Sequence, residues 1–194
     1  GRALWARDGF IPGISLAEYP WRTCYQGDLD LCGYRRPQSY YREAIWIGDT
    51  EPKIFTTHRK HYGEAFSGTE WHFYDVLDTW TFDDEYIGSP VRAEVYTTSE
   101  KILFILNGKE LGFAVPESGI AAMDIPYEPG ELKAVSFKNG KEFKTSSLHT
   151  IGKADKITVK AEKSSILADN RDLCYFDIFV TDKNGNRVPN AENE

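Results

Sequence analysis

Hydrophobic and polar residues follow two different patterns along the chain. In the N-terminal quarter there is little alternation, but Tyr41, Ala44 and Ile45 recur at helical spacing after Pro37, a residue that suits the first turn of a helix. From about residue 52 onward, short alternating runs are separated by turn residues at intervals of roughly 8 to 12 residues. The pattern therefore predicts one helix at about 37–46, followed by an all-β sandwich.

Two Asn-Gly pairs lie between strand-like runs, at Asn107-Gly108 and Asn139-Gly140. Such a pair is the strongest short hairpin signal, because a two-residue type I′ turn requires positive φ at both positions. Around the second pair, the alternation predicts which side chains face a core and which face water: Val135, Phe137 and Phe143 on the inner side, and Lys138, Lys141 and Lys144 on the outer side.

A third segment begins near Lys153 and carries two further strand-like runs, ITVKAE and LCYFDIFVTD. Only about 40 residues remain there, whereas an immunoglobulin-like domain takes about 100, so we expect the opening strands of a second sandwich. Incomplete sheets expose edges and an apolar face that recruit partners. We expect self-association or packing on the preceding domain through some of these residues: Ile157, Val159, Phe176, Ile178 and Val180.

Composition removes several classes of function. The 194 residues include 23 Lys and Arg against 30 Asp and Glu, and a net charge of −7 without a basic stripe disfavours nucleic-acid binding. The longest uninterrupted apolar run is the five residues Ile102–Leu106, far below the ~20 needed to span a membrane. The first ten residues do not have the pattern of a signal peptide, and the sequence names no compartment.

The three cysteines, Cys24, Cys32 and Cys174, form no CxxC pair. We expect buried free thiols, although Cys24 and Cys32 are spaced so that they could bridge in an oxidising compartment.

Acidic and histidine residues form small groups without a catalytic or metal-binding pattern. Neighbouring acids in Gly-flanked loops are usually solvated or accept hydrogen bonds from backbone amides, so we predict a structural role over calcium binding or catalysis. The histidine group includes zinc-type ligands, but no helix aligns them, and we predict polar surface or inter-domain contacts. The residues concerned are Asp28, Asp30, Asp83, Asp84 and Glu85, and His58, His61, Glu64 and His72. The sequence thus predicts no metal and no cofactor.

Three stretches together resemble the C-terminal half of bacterial glycoside hydrolase family 2, the β-galactosidase and β-glucuronidase family. Residues 27–46, GDLDLCGYRRPQSYYREAIW, look like the last loop and helix of that family's (β/α)8 barrel. Residues 94–112 and 125–142 resemble an Ig-like domain that follows the barrel, with an Asn-Gly-Lys hairpin and a Tyr-x-Pro-Gly-Glu-Leu entry to the next strand. Residues 168–194 are similar to the start of a further Ig-like domain.

The resemblance implies three parts: residues 1–47 as the C-terminal end of a TIM barrel, 48–150 as an Ig-like β-sandwich accessory domain, and 151–194 as the first strands of a truncated Ig-like domain. Retaining hydrolysis requires two carboxylates, which in the family are glutamates on barrel strands that would lie upstream of Gly1. The expected function is therefore a non-catalytic fragment of a β-galactosidase-like enzyme, with the sandwich as a structural buttress. The parent would act on carbohydrate and be periplasmic or secreted.

Among the tryptophans, Trp5 matches the family position of an aromatic residue that walls the sugar subsite, so the resemblance implies substrate binding there. For the others we expect core or seam packing, with a surface sugar platform as the alternative: Trp21, Trp46, Trp71 and Trp80. The main competing function is a carbohydrate-binding module with an aromatic platform. A third alternative is an adhesin-like array of Ig-like domains, but such an array would not contain the barrel-like residues 27–46.

Overall fold

The structure is a computed structural model that describes residues 27–30, 33–59 and 76–188. The chain divides into two compact units, residues 1–149 and residues 150–194. Within the described ranges, no helix is long and apolar enough to cross a membrane.

The first unit is built mainly of antiparallel strands. Its elements are α1 (Pro37–Ile47), β1 (Lys53–Thr57), β2 (Val76–Leu77), β3 (Pro90–Tyr96), β4 (Lys101–Leu106), β5 (Lys109–Ala114), β6 (Ile120–Pro126), β7 (Glu131–Lys138) and β8 (Lys141–His149). The strands form two four-stranded sheets, ordered β2-β1-β3-β6 and β5-β4-β7-β8. This arrangement confirms the predicted mainly β sandwich, and α1 confirms the predicted helix.

An apolar core lies between the two sheets and takes most of its buried residues from β3, β4, β6 and β7. Trp80 is fully buried there, and its Nε1 donates a hydrogen bond to the Glu128 carbonyl at 2.9 Å. The rings of Phe82 and Tyr127 pack against it edge to face. The buried members of the core are Ile54, Trp80, Val91, Ala93, Val95, Ile102, Phe104, Leu106, Ala114, Ala121, Ile125, Tyr127, Leu132 and Ala134.

Both Asn-Gly turns form the predicted hairpins. Asn107 and Gly108 have φ of 50° and 80° and join β4 to β5, while the turn at 139–140 has φ of 52° and 72° and joins β7 to β8. All four strands belong to the same sheet.

The predicted inner face of the second hairpin is wrong, although Val135 is buried as predicted and is only 4% exposed. The core takes Leu132 and Ala134 from β7, so the alternate positions Val135 and Phe137 lie on the other face of the sheet. Phe137 packs there against Phe113 with ring centroids 5.4 Å apart, and Phe143 on β8 is 40% exposed. Both faces of β7 carry apolar residues, so the large side chains did not indicate which face is inner.

Helix α1 covers the outer face of the β2-β1-β3-β6 sheet. Ala44 is buried against Phe55 and Tyr96, whose rings stack with centroids 4.9 Å apart. The Tyr41 hydroxyl donates to the Ser118 carbonyl at 2.9 Å. The neighbouring Gly119, at φ +83°, lies against the helix, because a Cβ there would overlap the terminal methyl of Ile45 and contact Tyr41, so that the Ile45 side chain would have to shift. The helix is therefore closely seated on the sandwich.

The second unit contains one antiparallel hairpin of β9 (Lys156–Ala161) and β10 (Phe176–Thr181). The turn after β10 is organised by Asp182, whose side chain is buried. Its carboxylate accepts hydrogen bonds from the backbone N–H groups of Asn184, Asn186 and Gly152 at 2.8 to 3.1 Å, and from the Asn186 side-chain amide. The apolar side chains of the two strands are largely exposed.

Candidate functional site

The acidic turn that precedes α1 uses its carboxylates to fold locally. Asp28 forms an ion pair with Arg42 of the helix. The Asp30 carboxylate accepts the Tyr34 backbone N–H at 2.8 Å, and the Asp30 N–H donates to the Tyr34 carbonyl at 2.9 Å. Arg35 lies 3.9 Å above the Tyr40 ring centroid. These contacts tie the turn to α1, in agreement with the structural role predicted for Asp28 and Asp30.

The acidic triplet forms an exposed single turn of 3₁₀ helix, Asp84–Tyr86, after Asp83. The Tyr86 N–H donates to the Asp83 carbonyl at 2.9 Å, and a hydrogen bond with the Glu85 side chain raises the pKa of Tyr86. Across the described ranges, no group of three or more His, Cys, Asp or Glu residues is placed to hold a metal ion. His58 is described, whereas His61, Glu64 and His72 lie outside the described residues.

The tryptophans that the structure describes occupy two different environments. Trp80 is in the core, which confirms core packing, whereas Trp46 on α1 is 71% exposed and fills no core among the described residues. Its neighbour Ile47 is also 71% exposed. Trp5, Trp21 and Trp71 lie outside the described residues, so the sugar-subsite prediction for Trp5 stays a prediction.

The cysteine predictions are only partly within the described residues. Cys174 is a free thiol, but it is half-buried rather than buried, and its Sγ is 3.6 Å from the carbonyls of Lys163 and Tyr175. Cys24 and Cys32 lie outside the described residues.

The most exposed ring on the β5-β4-β7-β8 sheet does not form a flat sugar platform with its neighbour. Phe113 is 51% exposed, and its ring stands at 79° to that of Phe137. The Lys101 ammonium lies 3.9 Å from the Phe113 centroid and covers one face of the ring. Sugar stacking requires an accessible aromatic face, so this pair lacks the coplanar surface that a carbohydrate-binding module would present.

The Tyr-x-Pro-Gly-Glu-Leu motif has a structural role that sequence reasoning did not assign. The side chain of Asn107 accepts the Glu131 N–H at 2.9 Å and donates to the Pro129 carbonyl at 3.1 Å. Gly130 is required between them because a Cβ there would overlap the Asn107 side chain. Asn107 thus belongs to the first hairpin turn and also fixes the start of β7. The only sequence signal for this contact was that the Asn-Gly-Lys hairpin and the Pro-Gly-Glu segment occur together in the same family resemblance.

The second Asn-Gly turn is held by a carboxylate. Glu100 accepts the backbone N–H groups of Asn139 at 2.7 Å and Gly140 at 3.2 Å. The two Asn-Gly turns and the Pro-Gly-Glu segment, on which the family resemblance rests, therefore use their polar groups to hold turns of the fold.

A shallow cleft of about 560 Å³ lies at the edge of the sandwich beside β6. Glu94 is buried in its wall and accepts a hydrogen bond from the Arg92 Nε at 2.8 Å. Its lining residues are Arg92, Glu94, Phe113, Ala114, Val115, Glu117, Ile120 and Ala122. Sequence reasoning missed the cleft because Arg92 and Glu94 look like ordinary solvent-facing strand positions.

The chain is similar in sequence to one domain family and, over nearly its whole length, to two larger glycosidases. Residues 88–144 match the family model described as Domain of unknown function (DUF4982). The β-galactosidase BoGH2A of Bacteroides ovatus is 24% identical over 100% of this chain, which covers 20% of that protein. A putative β-glucuronidase of Formosa agariphila is 25% identical over 94% of this chain, which covers 16% of it.

Solved structures give the same result. The structure of a glycosyl hydrolase family 2 member from Bacteroides cellulosilyticus matches 87% of this chain and 22% of its own length, with a TM-score of 0.76 and 35% identity. The fold is thus a β-sandwich module that is found within a larger enzyme. The chain is related to glycoside hydrolase family 2 and corresponds to a C-terminal part of such enzymes, which confirms the predicted resemblance. It spans about a fifth of the length of the relatives it matches.

Proposed function

We propose that residues 48–150 form a non-catalytic accessory domain that buttresses the barrel of a β-galactosidase-like glycoside hydrolase with a retaining mechanism. The observation that carries the proposal is the seat of α1 on the sandwich. In the proposal, α1 is the last helix of the barrel, so a helix of the catalytic domain is packed directly on the accessory domain.

The contact between α1 and the sandwich is aromatic and directional. Tyr41 meets the Tyr96 ring edge to face at 5.7 Å, and Tyr40 lies 5.6 Å from the Phe55 ring. Such pairs contribute about 0.5–1.5 kcal/mol each beyond the area they bury. The exposed Trp46 and Ile47 supply apolar surface on α1 that the rest of a barrel would cover.

The connection that follows the helix is also fixed to the sandwich. Asp49 forms an ion pair with Lys138, and its carbonyl accepts a hydrogen bond from the Lys144 Nζ at 2.6 Å. Three residues further on, the Pro52 carbonyl accepts a hydrogen bond from the Ser146 hydroxyl. A fixed connection restrains the angle between the helix and the sandwich, as a buttress requires.

Catalysis by this chain alone is the direct test of the non-catalytic role. We expect the purified chain to show no turnover of aryl β-galactosides or β-glucuronides above buffer, because both reacting carboxylates are proposed to lie in the barrel. A longer protein that contains this chain and the barrel is the positive control. Specific hydrolysis by the purified chain, lost when one of its own carboxylates is replaced, would overturn the proposal; the residues to replace are Asp28, Asp30, Asp83, Asp84, Glu85, Glu94 and Glu117.

The same kinetic assay tests the proposed sugar contact of Trp5. In the longer protein, Trp5→Ala should lower kcat/KM by roughly 10- to 100-fold, about 1.4–2.8 kcal/mol, if the indole stacks on a sugar. Tyr175→Ala, at an aromatic residue of the second unit that is 68% exposed, is the matched control. Unchanged kinetics in a folded Trp5 variant would assign this residue to packing.

A further inference from the structure

The hairpin of the second unit has one apolar face that is open to solvent. Ile178 lies directly opposite Val159, and Val180 lies opposite Ile157. Successive strand residues point to opposite faces, so these four side chains share one face with Phe176 and Ala161. The exposed fractions are 69% for Ile157, 56% for Val159, 60% for Phe176 and 66% for Ile178.

Two strands cannot bury this face by themselves. An isolated two-stranded hairpin is marginally stable in water, and a sheet with an apolar face requires a second layer. The other face is more polar and is already engaged. Thr158 and Thr181 share a hydrogen bond at 2.8 Å across the strands, and Phe179 lies 5.2 Å from the Arg187 guanidinium.

Neither edge of the hairpin favours addition of another strand. The outer edge of β10 is occupied at its end, because the Val188 N–H donates to the Val180 carbonyl at 2.8 Å and Arg187 bridges to Thr181. The edge strand β9 carries Lys156 and Lys160. In a twofold antiparallel pairing of β9 with itself centred on Thr158, these lysines would oppose each other, and like charges opposite one another are unfavourable.

We propose that a second copy of this chain covers the apolar face, with the two hairpins packed face to face across a twofold axis. All six residues that share the face are uncharged: Ile157, Val159, Ala161, Phe176, Ile178 and Val180. Burying their exposed parts on both copies removes about 1,000 Å² from water, which is the least area of a specific interface. The product is a four-stranded sandwich with its sheets about 10 Å apart. This inference does not depend on the proposed function.

The experiment measures the mass of the purified chain by sedimentation equilibrium over a wide range of concentration. We expect a reversible monomer–dimer equilibrium for the unchanged chain. Ile178→Lys should weaken dimerisation by roughly 100-fold or more, because it places an unpaired charge in the apolar interface. Ile178→Thr, which keeps a strand-forming residue, should weaken it by roughly 10-fold.

The matched control is Ile87→Lys, which adds the same charge at an isoleucine of the first unit that is 52% exposed. It should leave the dimerisation constant unchanged. A monomer at every concentration would overturn the proposal, and so would equal weakening by the lysine variants of Ile87 and Ile178. Protection of the Val159 and Ile178 methyl groups from a soluble paramagnetic probe in a monomer would also overturn it, since the face would then be covered within the chain.

Discussion

The sandwich of the first unit and the hairpin of the second contain strands with the same alternation but with opposite burial. Ile125 on β6 is fully buried, whereas Ile178 on β10 is 66% exposed, although both lie in antiparallel strands. The difference is the second layer, which the sandwich has and the hairpin lacks among the described residues. Alternation therefore indicates where a strand forms, while burial depends on a facing sheet.

Truncating one isoleucine in each unit gives the largest expected difference. Ile125→Ala should lower the free energy of unfolding of the first unit by about 2–5 kcal/mol, because it leaves a cavity in a closed core. Ile178→Ala should change the stability of the second unit by no more than about 0.5 kcal/mol at concentrations where the chain is monomeric. Urea denaturation followed by residue-resolved amide signals separates the two units.

Equal destabilisation by the two alanine variants would contradict the comparison. It would mean that the hairpin face is buried in solution even in the monomer. A small effect of Ile125→Ala would instead contradict the packing of the sandwich core.

Two glycines with the same backbone conformation provide a smaller and more specific test of the α1 seat. Gly88 and Gly119 have φ of +82° and +83°, but only at Gly119 would a Cβ meet α1, at Ile45 and Tyr41. Alanine at either position costs about 1–2 kcal/mol from the left-handed conformation. Gly119→Ala should cost a further 0.5–1.5 kcal/mol, roughly the cost of moving the Ile45 side chain away from its preferred rotamer. It should also increase amide exchange along α1, as hydrogen-exchange measurements would show.

Gly88→Ala has nothing within 4 Å of its new methyl group and is the matched control. If the two variants have equal stability and equal exchange in α1, the helix is not packed on the sandwich. The observation that supports the proposed buttress would then be wrong.

Short sequence patterns correctly predicted the elements that depend on local backbone conformation, namely the helix and the two hairpin turns. Pro37 and the helical spacing after it located α1, and both Asn-Gly turns have the positive φ values that their residue types favour. The assignment of faces failed on β7. Val135 and Phe137 are larger than Ala134, yet Ala134 faces the core, because the facing sheet determines how much room each position has.

The features of the candidate site required long-range information. Asn107 contacts residues 22 and 24 positions later in the chain, and Tyr41 bonds to a carbonyl 77 positions later. Periodicity covers only neighbouring residues, so it could not indicate either contact. The cleft at Arg92 and Glu94 also forms only when β3 and β6 lie side by side.

The turn after β10 gives the smallest expected effect, because it concerns the local closure of the second unit. Burial of the Asp182 carboxyl favours its neutral form and raises its pKa, but the hydrogen bonds from Asn186, Gly152 and Asn184 together outweigh burial and hold the pKa below its usual range. A lowered pKa in the folded state stabilises the fold at pH values above the unfolded pKa of about 3.9, and this stabilisation is lost as the pH falls through the folded value. Below about pH 4, the amide signals of Gly152, Asn184 and Asn186 should therefore move together and lose protection from exchange. Asp182→Asn, which keeps one acceptor oxygen but does not ionise, should remove this shared pH dependence while the Trp80 indole signal of the first unit stays unchanged. Independent titration of the three amides in the unchanged chain would show that Asp182 does not hold the turn.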